Sequence, residues 1–309
     1  MSDIVLRTVI PILLLIGTGL LSRKLGILKS GDERILSAYV YYFALPALFF
    51  VNMTEMDFTG ETLRFMLAGI IPILVVLTIY VSLRLMFRLS KDIFYLLVLS
   101  TIFGSLAFFG IPFITFAFPG TGEPLATLAA ASISIVSVTA SITTLELYRL
   151  QQSKILTGLK LVAKRLSKNP LILSIFSGIL FSLIRIEIPT PISQPLHMLG
   201  RTTSTVAIFM LGVFLYGRKY TNIGKALKLS MLRIVFLPLV AFLTMTLFDL
   251  STLERSTLTL MHCMPVAISM IILSERYNFH KETIASLILI SSLGAGLYLN
   301  LWLLLLGHY

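Results

Sequence analysis

Charge is scarce in this chain. Asp, Glu, Lys and Arg make up 13% of its 309 residues, about half the share, roughly a quarter, that covers a soluble domain. A fold of this composition cannot present a water-compatible exterior. With 57% hydrophobic residues and mean hydropathy +0.94, it is built to face lipid. Cysteine is scarcer still: Cys263 stands alone, which excludes an internal disulfide and a cysteine-built metal site. The four histidines, His197, His262, His280 and His308, are far apart. There is no H-E-x-x-H, no G-x-S-x-G and no Walker-type glycine loop. Metalloprotease, serine-hydrolase and nucleotide-driven chemistry therefore have no residues to run on, and no cofactor or metal is expected. A basic n-region and a small-residue cleavage site are also missing from MSDIVLRTVIPILLL. This stretch reads as a first span, not a removable signal.

Apolar runs are what the chain has in quantity. A bilayer core of about 30 Å takes roughly 20 residues per helical span. Ten runs bounded by charges or turn residues fall near 4–22, 33–53, 62–87, 93–118, 123–148, 169–186, 194–217, 226–248, 253–275 and 283–306. The expected fold is all-α and polytopic, with ten transmembrane helices in one membrane domain.

The charges alternate along these runs. Nineteen of the 25 basic residues lie in the loops after spans 1, 3, 5, 7 and 9, from Arg23, Lys24, Lys29 and Arg34 to Arg276 and Lys281. The opposite loops carry Arg7, Arg64, Arg185, Arg201 and Arg255, with Glu55, Asp57, Glu61, Asp249 and Glu254, while Arg233 lies inside span 8. The positive-inside rule then puts the odd-numbered loops in the cytoplasm and both termini outside the cell membrane. The net charge of +11 is thereby a cytoplasmic rim in contact with anionic lipid, and nucleic acid is not an expected partner. In the longest loop, 149–168, Ile155, Leu159, Val162 and Leu166 recur at helical spacing opposite Lys160, Lys164 and Lys168. This reads as an amphipathic helix on the cytoplasmic leaflet, separating a first five-helix half (1–148) from a second (169–309).

Five spans on each side of a linker suggest an internal repeat, and an odd-numbered repeat must insert inverted. Spans 3 and 8 carry interior prolines, Pro72 and Pro238, and spans 4 and 9 carry Pro112 and Pro265. Span 4 also gathers Gly104, Ser105 and Gly110 near its middle. Proline and glycine break a helix, and in lipid unwound backbone survives only inside protein or beside a cavity. Two broken helices in matching positions point to a midplane transport site. The half-helix restarting after each break presents free N–H groups and a positive dipole end, which suits an anion such as a carboxylate.

The segments GSLAFFGIP (104–112), YFALPALFF (42–50) and MPVAISMIILSERYNFHKE (264–282) resemble the auxin efflux carrier family, including its malate- and malonate-permease-like members, over essentially the whole chain. That resemblance implies ten spans in a five-plus-five inverted repeat, two crossing broken helices, and an elevator-like or rocking movement of one bundle against the other. The chain departs from the family at Ser105, where the family pattern has Asn.

The expected substrate-binding residues are Ser105, Gly110, Ile111 and Pro112 of span 4, Met264, Pro265 and Val266 of span 9, and Asn300 of span 10. Pro46 is expected to kink span 2 beside the site. His262 is the candidate proton carrier, set against a packing role. Arg201 is expected in an outer vestibule, set against snorkelling to the interface. Ser137 and Ser141 of span 5 suit helix packing better than cavity lining. The function expected is secondary transport of a small organic anion by alternating access. A sodium-coupled bile-acid-type symporter and a channel-like facilitator are the alternatives, with an intramembrane enzyme last. Expected partners are the anion, the bilayer, a coupling proton or sodium ion, and a second copy in a homodimer.

Overall fold

A computed structural model describes residues 2–149, 155–217 and 220–308. Lys154, Arg218 and Lys219 of the expected basic rim lie outside the described residues, as do the side chains of Arg7, Arg149, Ile155, Leu159 and Arg276. The regular elements of the described chain are all helices. In order come α1 (Ser2–Lys24), α2 (Glu33–Tyr39), α3 (Leu45–Thr54), α4 (Gly60–Phe87), α5 (Lys91–Ile102), α6 (Ile111–Ala117), α7 (Gly122–Arg149), α8 (Ile155–Leu166), α9 (Pro170–Leu183), α10 (Thr190–Leu215), α11 (Ile223–Met231), α12 (Leu237–Met245), α13 (Thr252–Cys263), α14 (Ser269–Tyr277) and α15 (Lys281–Leu305). Among the described residues, six helices are long and apolar enough to cross a bilayer: Glu33–Thr54, Gly60–Phe87, Gly122–Tyr148, Thr190–Leu215, Ile223–Met245 and Lys281–Leu305. The fourth and ninth predicted segments are each interrupted, into α5 and α6 and into α13 and α14.

Three wide π-turns, Val40–Ala44, Leu106–Gly110 and Leu232–Phe236, each end just before a Leu-Pro or Ile-Pro pair, at Pro46, Pro112 and Pro238. The cause is steric. A proline ring clashes with the carbonyl four residues back and offers it no N–H. The chain widens by one residue, so that Leu45, Ile111 and Leu237 donate to the carbonyls five back, those of Val40, Leu106 and Leu232. The carbonyl stranded by Pro238 belongs to Ile234, and it is taken up by Trp302 Nε1 at 2.9 Å and by Cys263 Sγ at 3.4 Å. Pro72 differs: α4 runs through it without a break.

The helices pack through small residues, as lipid-embedded helices do. A Cβ on Gly19 of α1 would stand 2.1 Å from Phe209 O of α10, and one on Gly212 of α10 would stand 2.1 Å from Ile16 O of α1. α9 closes on α3 in the same way at Gly178, where a Cβ would lie 2.7 Å from Phe50 O. α8 has its predicted two faces, with Val162 buried and Lys160 and Lys164 exposed. It is tied to the bundle by Arg165, which contacts the buried carboxylate of Glu146 in α7, and Tyr277 of α14 donates to that same carboxylate at 2.5 Å.

Candidate functional site

The two interruptions meet. Phe103–Ser105 and Pro265–Ala267 run antiparallel as a short extended pair around the Gly104–Val266 bridge. Ser105 N–H donates to Pro265 O at 2.8 Å, and Ala267 N–H donates to Phe103 O at 3.0 Å. Each break thus satisfies backbone groups that its own helix has given up, which is how unwound backbone becomes tolerable inside an apolar protein. Val266 N–H takes a further acceptor, Ser291 Oγ of α15, at 3.2 Å.

Beneath the pair lies Arg233, on the third π-turn, with no solvent exposure. Its Nε donates to Met264 O and its Nη1 to Thr101 O, both at 2.7 Å. These carbonyls belong to the C-terminal ends of α13 and α5, where the helix dipoles leave partial negative charge. One guanidinium therefore holds the spent ends of both first half-helices. Its Nη2 has no partner among the described residues. The room for it comes from Gly104, where a Cβ would stand 1.6 Å from Nη2.

On the other side of the crossing is a cavity of about 630 Å³. It runs from Gly104, Ser105 and Ala267 at the breaks to Arg34 and Asn169 at the helix ends. Its lining includes the aromatic residues Tyr41, Tyr42, Phe103 and Phe108 and the serines Ser37, Ser134, Ser137, Ser141 and Ser269. Arg34 is the one charged residue among the described residues lining it, and no carboxylate does. Ser105 is 5% exposed. Its carbonyl accepts from Phe109 and Gly110 N–H as the second half-helix starts, yet its Oγ has no partner among the described residues. A buried hydroxyl without a partner among the described residues, bordering a cavity at a helix start, keeps its hydrogen-bonding capacity free.

Of the expected site residues, Ser105 lines this cavity. The others are placed differently. Gly110 packs against Met261 and Met264, with room for no side chain, and Ile111 and Pro112 are core. Met264 and Pro265 act through their carbonyls, and Val266 through its N–H. Asn300 is buried along α15 and donates to Gly296 O at 2.6 Å. Pro46 follows the first π-turn, and its neighbour Leu45 is a cavity residue. His262 is fully buried away from the cavity, with Nε2 2.9 Å from Gly69 O. Because a carbonyl only accepts, Nε2 carries the proton, and Nδ1 is left without a partner among the described residues. Arg201 is exposed on α10. Ser137 and Ser141 are among the residues around the cavity, yet both are buried, and Ser141 Oγ donates to Ser137 O at 2.6 Å within α7. Arg233 carries no sequence signal beyond being an intramembrane arginine, which is itself a pointer to function.

Apolar helices, two of them interrupted and crossing beside a cavity, have the build of a membrane transporter. The comparisons supply the family. The family model described as "Membrane transport protein" matches residues 4–150 and 122–303, and the chain belongs to that family, the auxin efflux carrier family. An uncharacterized transporter of Methanocaldococcus jannaschii is 27% identical over 304 residues, covering 95% of this chain and 96% of its own. The uncharacterized transporter YfdV of Escherichia coli K12 is 24% identical over 307 residues, 95% of each chain. A Rhizobium meliloti protein, named as a candidate malonate transporter, is 25% identical over 136 residues, 43% of this chain and 42% of its own. Family and relatives are transporters, so the protein is not an enzyme.

Proposed function

We propose that the protein is a secondary carrier of a small organic anion, binding it in the cavity between Ser105, the α7 serines and Arg34. The observation that carries this reading is the Ser105 hydroxyl, at the cavity and without a partner among the described residues, beside the starts of the half-helices Leu106–Ala117 and Ser269–Tyr277. Helix starts, a hydroxyl donor and a guanidinium all favour negative charge. The aromatic wall accommodates an apolar body on the anion.

The chain is read as ten spans in two inverted halves. In support, the helix pairs closed by glycine, α1 with α10 and α3 with α9, exchange when the halves are swapped. The same swap carries the cavity to a site among α1, α6 and α15, where Ile12, Ile16, Phe109, Phe113, Leu299 and Ser292 leave a void of only about 10 Å³. One pathway open and its counterpart shut is what alternating access requires. With odd-numbered loops cytoplasmic, the open cavity faces the cytoplasm. A sodium-coupled symporter fits less well, since no carboxylate lines the cavity among the described residues.

The test is uptake by proteoliposomes of a panel of labelled mono- and dicarboxylates, with pH, sodium and voltage gradients imposed separately. Saturable uptake of one class is expected. Ser105→Ala is expected to weaken it about tenfold or more, since a hydrogen bond to a charged group contributes about 1.5–3 kcal/mol. No uptake of any anion under any gradient overturns the reading. Access is tested by thiol labelling in a Cys263→Ser background. Ser137→Cys is expected to react with an impermeant maleimide from the cytoplasmic side. Ser292→Cys is expected to react from the outside, severalfold faster during turnover. Labelling of both from one side counts against alternating access.

A further inference from the structure

We propose that Arg233 is a resident cation of the carrier, standing where the crossing would otherwise have to hold a coupling metal ion. This rests on the transport reading above. Two helix C-termini meet at one buried point, each with roughly half a negative charge. In a low-dielectric interior such a pair needs a positive charge between them. Carbonyl oxygens converging from two broken helices are the ligands a hard monovalent cation takes, and half-helix C-terminal ends serve that purpose in transporters. Here Thr101 O and Met264 O converge in that way, and each accepts an Arg233 N–H at 2.7 Å. The guanidinium has no exposure, and no carboxylate among the described residues pairs with it. Its charge is thus spent on the two helix ends. Gly104 makes the arrangement sterically possible, because any Cβ there would occupy the position of Nη2.

Two consequences follow. With the negative ends already neutralised, the helix starts at Ser105–Leu106 and Ser269 are left as the uncompensated charge, and they select an anion. The carrier also needs no sodium at the crossing, because that place is taken. Arg233 acts through the crossing and is a positioning residue, not a ligand of the cargo.

The experiment is anion uptake by wild type, Arg233→Lys and Arg233→Met in proteoliposomes, in sodium chloride and in choline chloride, with thermal melting of each purified protein in both salts. Wild-type uptake is measured first, and its total absence is a failure of the transport reading alone. Given wild-type uptake, equal rates in both salts are expected. Arg233→Met is expected to lose at least tenfold in choline, to recover part of that in sodium, and to melt higher in sodium than in choline, while the wild-type melting point does not move between salts. Arg233→Lys is expected to keep a sodium-independent fraction of the rate. A wild type that requires sodium overturns the proposal. So does an Arg233→Met protein that transports normally in choline, or one that is folded but unmoved by sodium in both rate and melting. If Arg233→Met does not fold, the wild-type salt comparison and Arg233→Lys decide, and a lysine variant that needs sodium overturns the proposal.

Discussion

Replacing Gly104 with alanine is expected to lower transport about a hundredfold while leaving the protein in the membrane. The methyl carbon would lie 1.6 Å from Arg233 Nη2, 2.3 Å from Cζ and 3.0 Å from Nε. A flexible side chain would ordinarily swing aside, but this one is held at Nε by Met264 O and at Nη1 by Thr101 O. Moving it breaks charge-assisted bonds worth about 1.5–3 kcal/mol each and leaves a buried charge facing no acceptor. Keeping it in place forces the crossing apart, and overpacking of that kind costs about 1–3 kcal/mol. Either outcome is of the order of 3 kcal/mol, and every 1.4 kcal/mol is about a factor of ten. The loss should appear in the uptake rate more than in membrane abundance, because most of the fold is helix packing remote from the break. A double-mutant cycle sharpens the claim. In an Arg233→Met background the same alanine should cost much less than in wild type, since its clash is with the group removed. Additive losses would show that Gly104 matters for some reason other than the guanidinium.

How much of this was legible in the residues depends on what each signal encodes. Helix positions were legible because an apolar run longer than a bilayer is a local property. The interruptions at 104–112 and near Pro265 were legible because Gly and Pro act on their own backbone. Which side of a break faces the cavity is not local. Gly110 and Pro112 mark the break as strongly as Ser105 does, yet they face the core and Ser105 the cavity. The faces of α7 are hard to tell apart for a related reason. Small residues recur all round it, so composition cannot separate the packed side from the lining side, and Ser137 and Ser141 are both buried and at the cavity. Arg233 is the largest omission. In the sequence it is one basic residue inside an apolar run, and its partners lie 31 and 132 residues away. Only the meeting of the two breaks gives it a role.

Gly212→Ala is expected to be, with Gly19→Ala on the facing helix, among the most destabilising single-methyl changes in the helix bundle outside the crossing. The added carbon would stand 2.1 Å from Ile16 O, 2.9 Å from Ile16 C and 3.0 Å from Gly19 Cα. All three are backbone atoms, so no rotamer change relieves the contact, and α1 and α10 must separate along their length. Lipid-embedded helices are held by close van der Waals packing, and a rigid separation forfeits many contacts together. A loss of about 3 kcal/mol is expected, at the upper end for overpacking, and it should be read as a lower melting temperature in detergent. Gly224→Ala is the control: a Cβ there meets nothing within 4 Å, and alanine is the better helix former by about 1 kcal/mol. Gly178→Ala should resemble Gly212→Ala, because its carbon would lie 2.7 Å from Phe50 O and from Met53 Cβ, closing α9 on α3 as Gly212 closes α10 on α1. If α1, α3, α9 and α10 form the static frame against which the crossing moves, both variants should lose stability together and retain the sidedness of Ser137→Cys and Ser292→Cys labelling. A variant that instead abolished the outside labelling of Ser292→Cys at unchanged stability would place its helix pair in the moving part of the carrier.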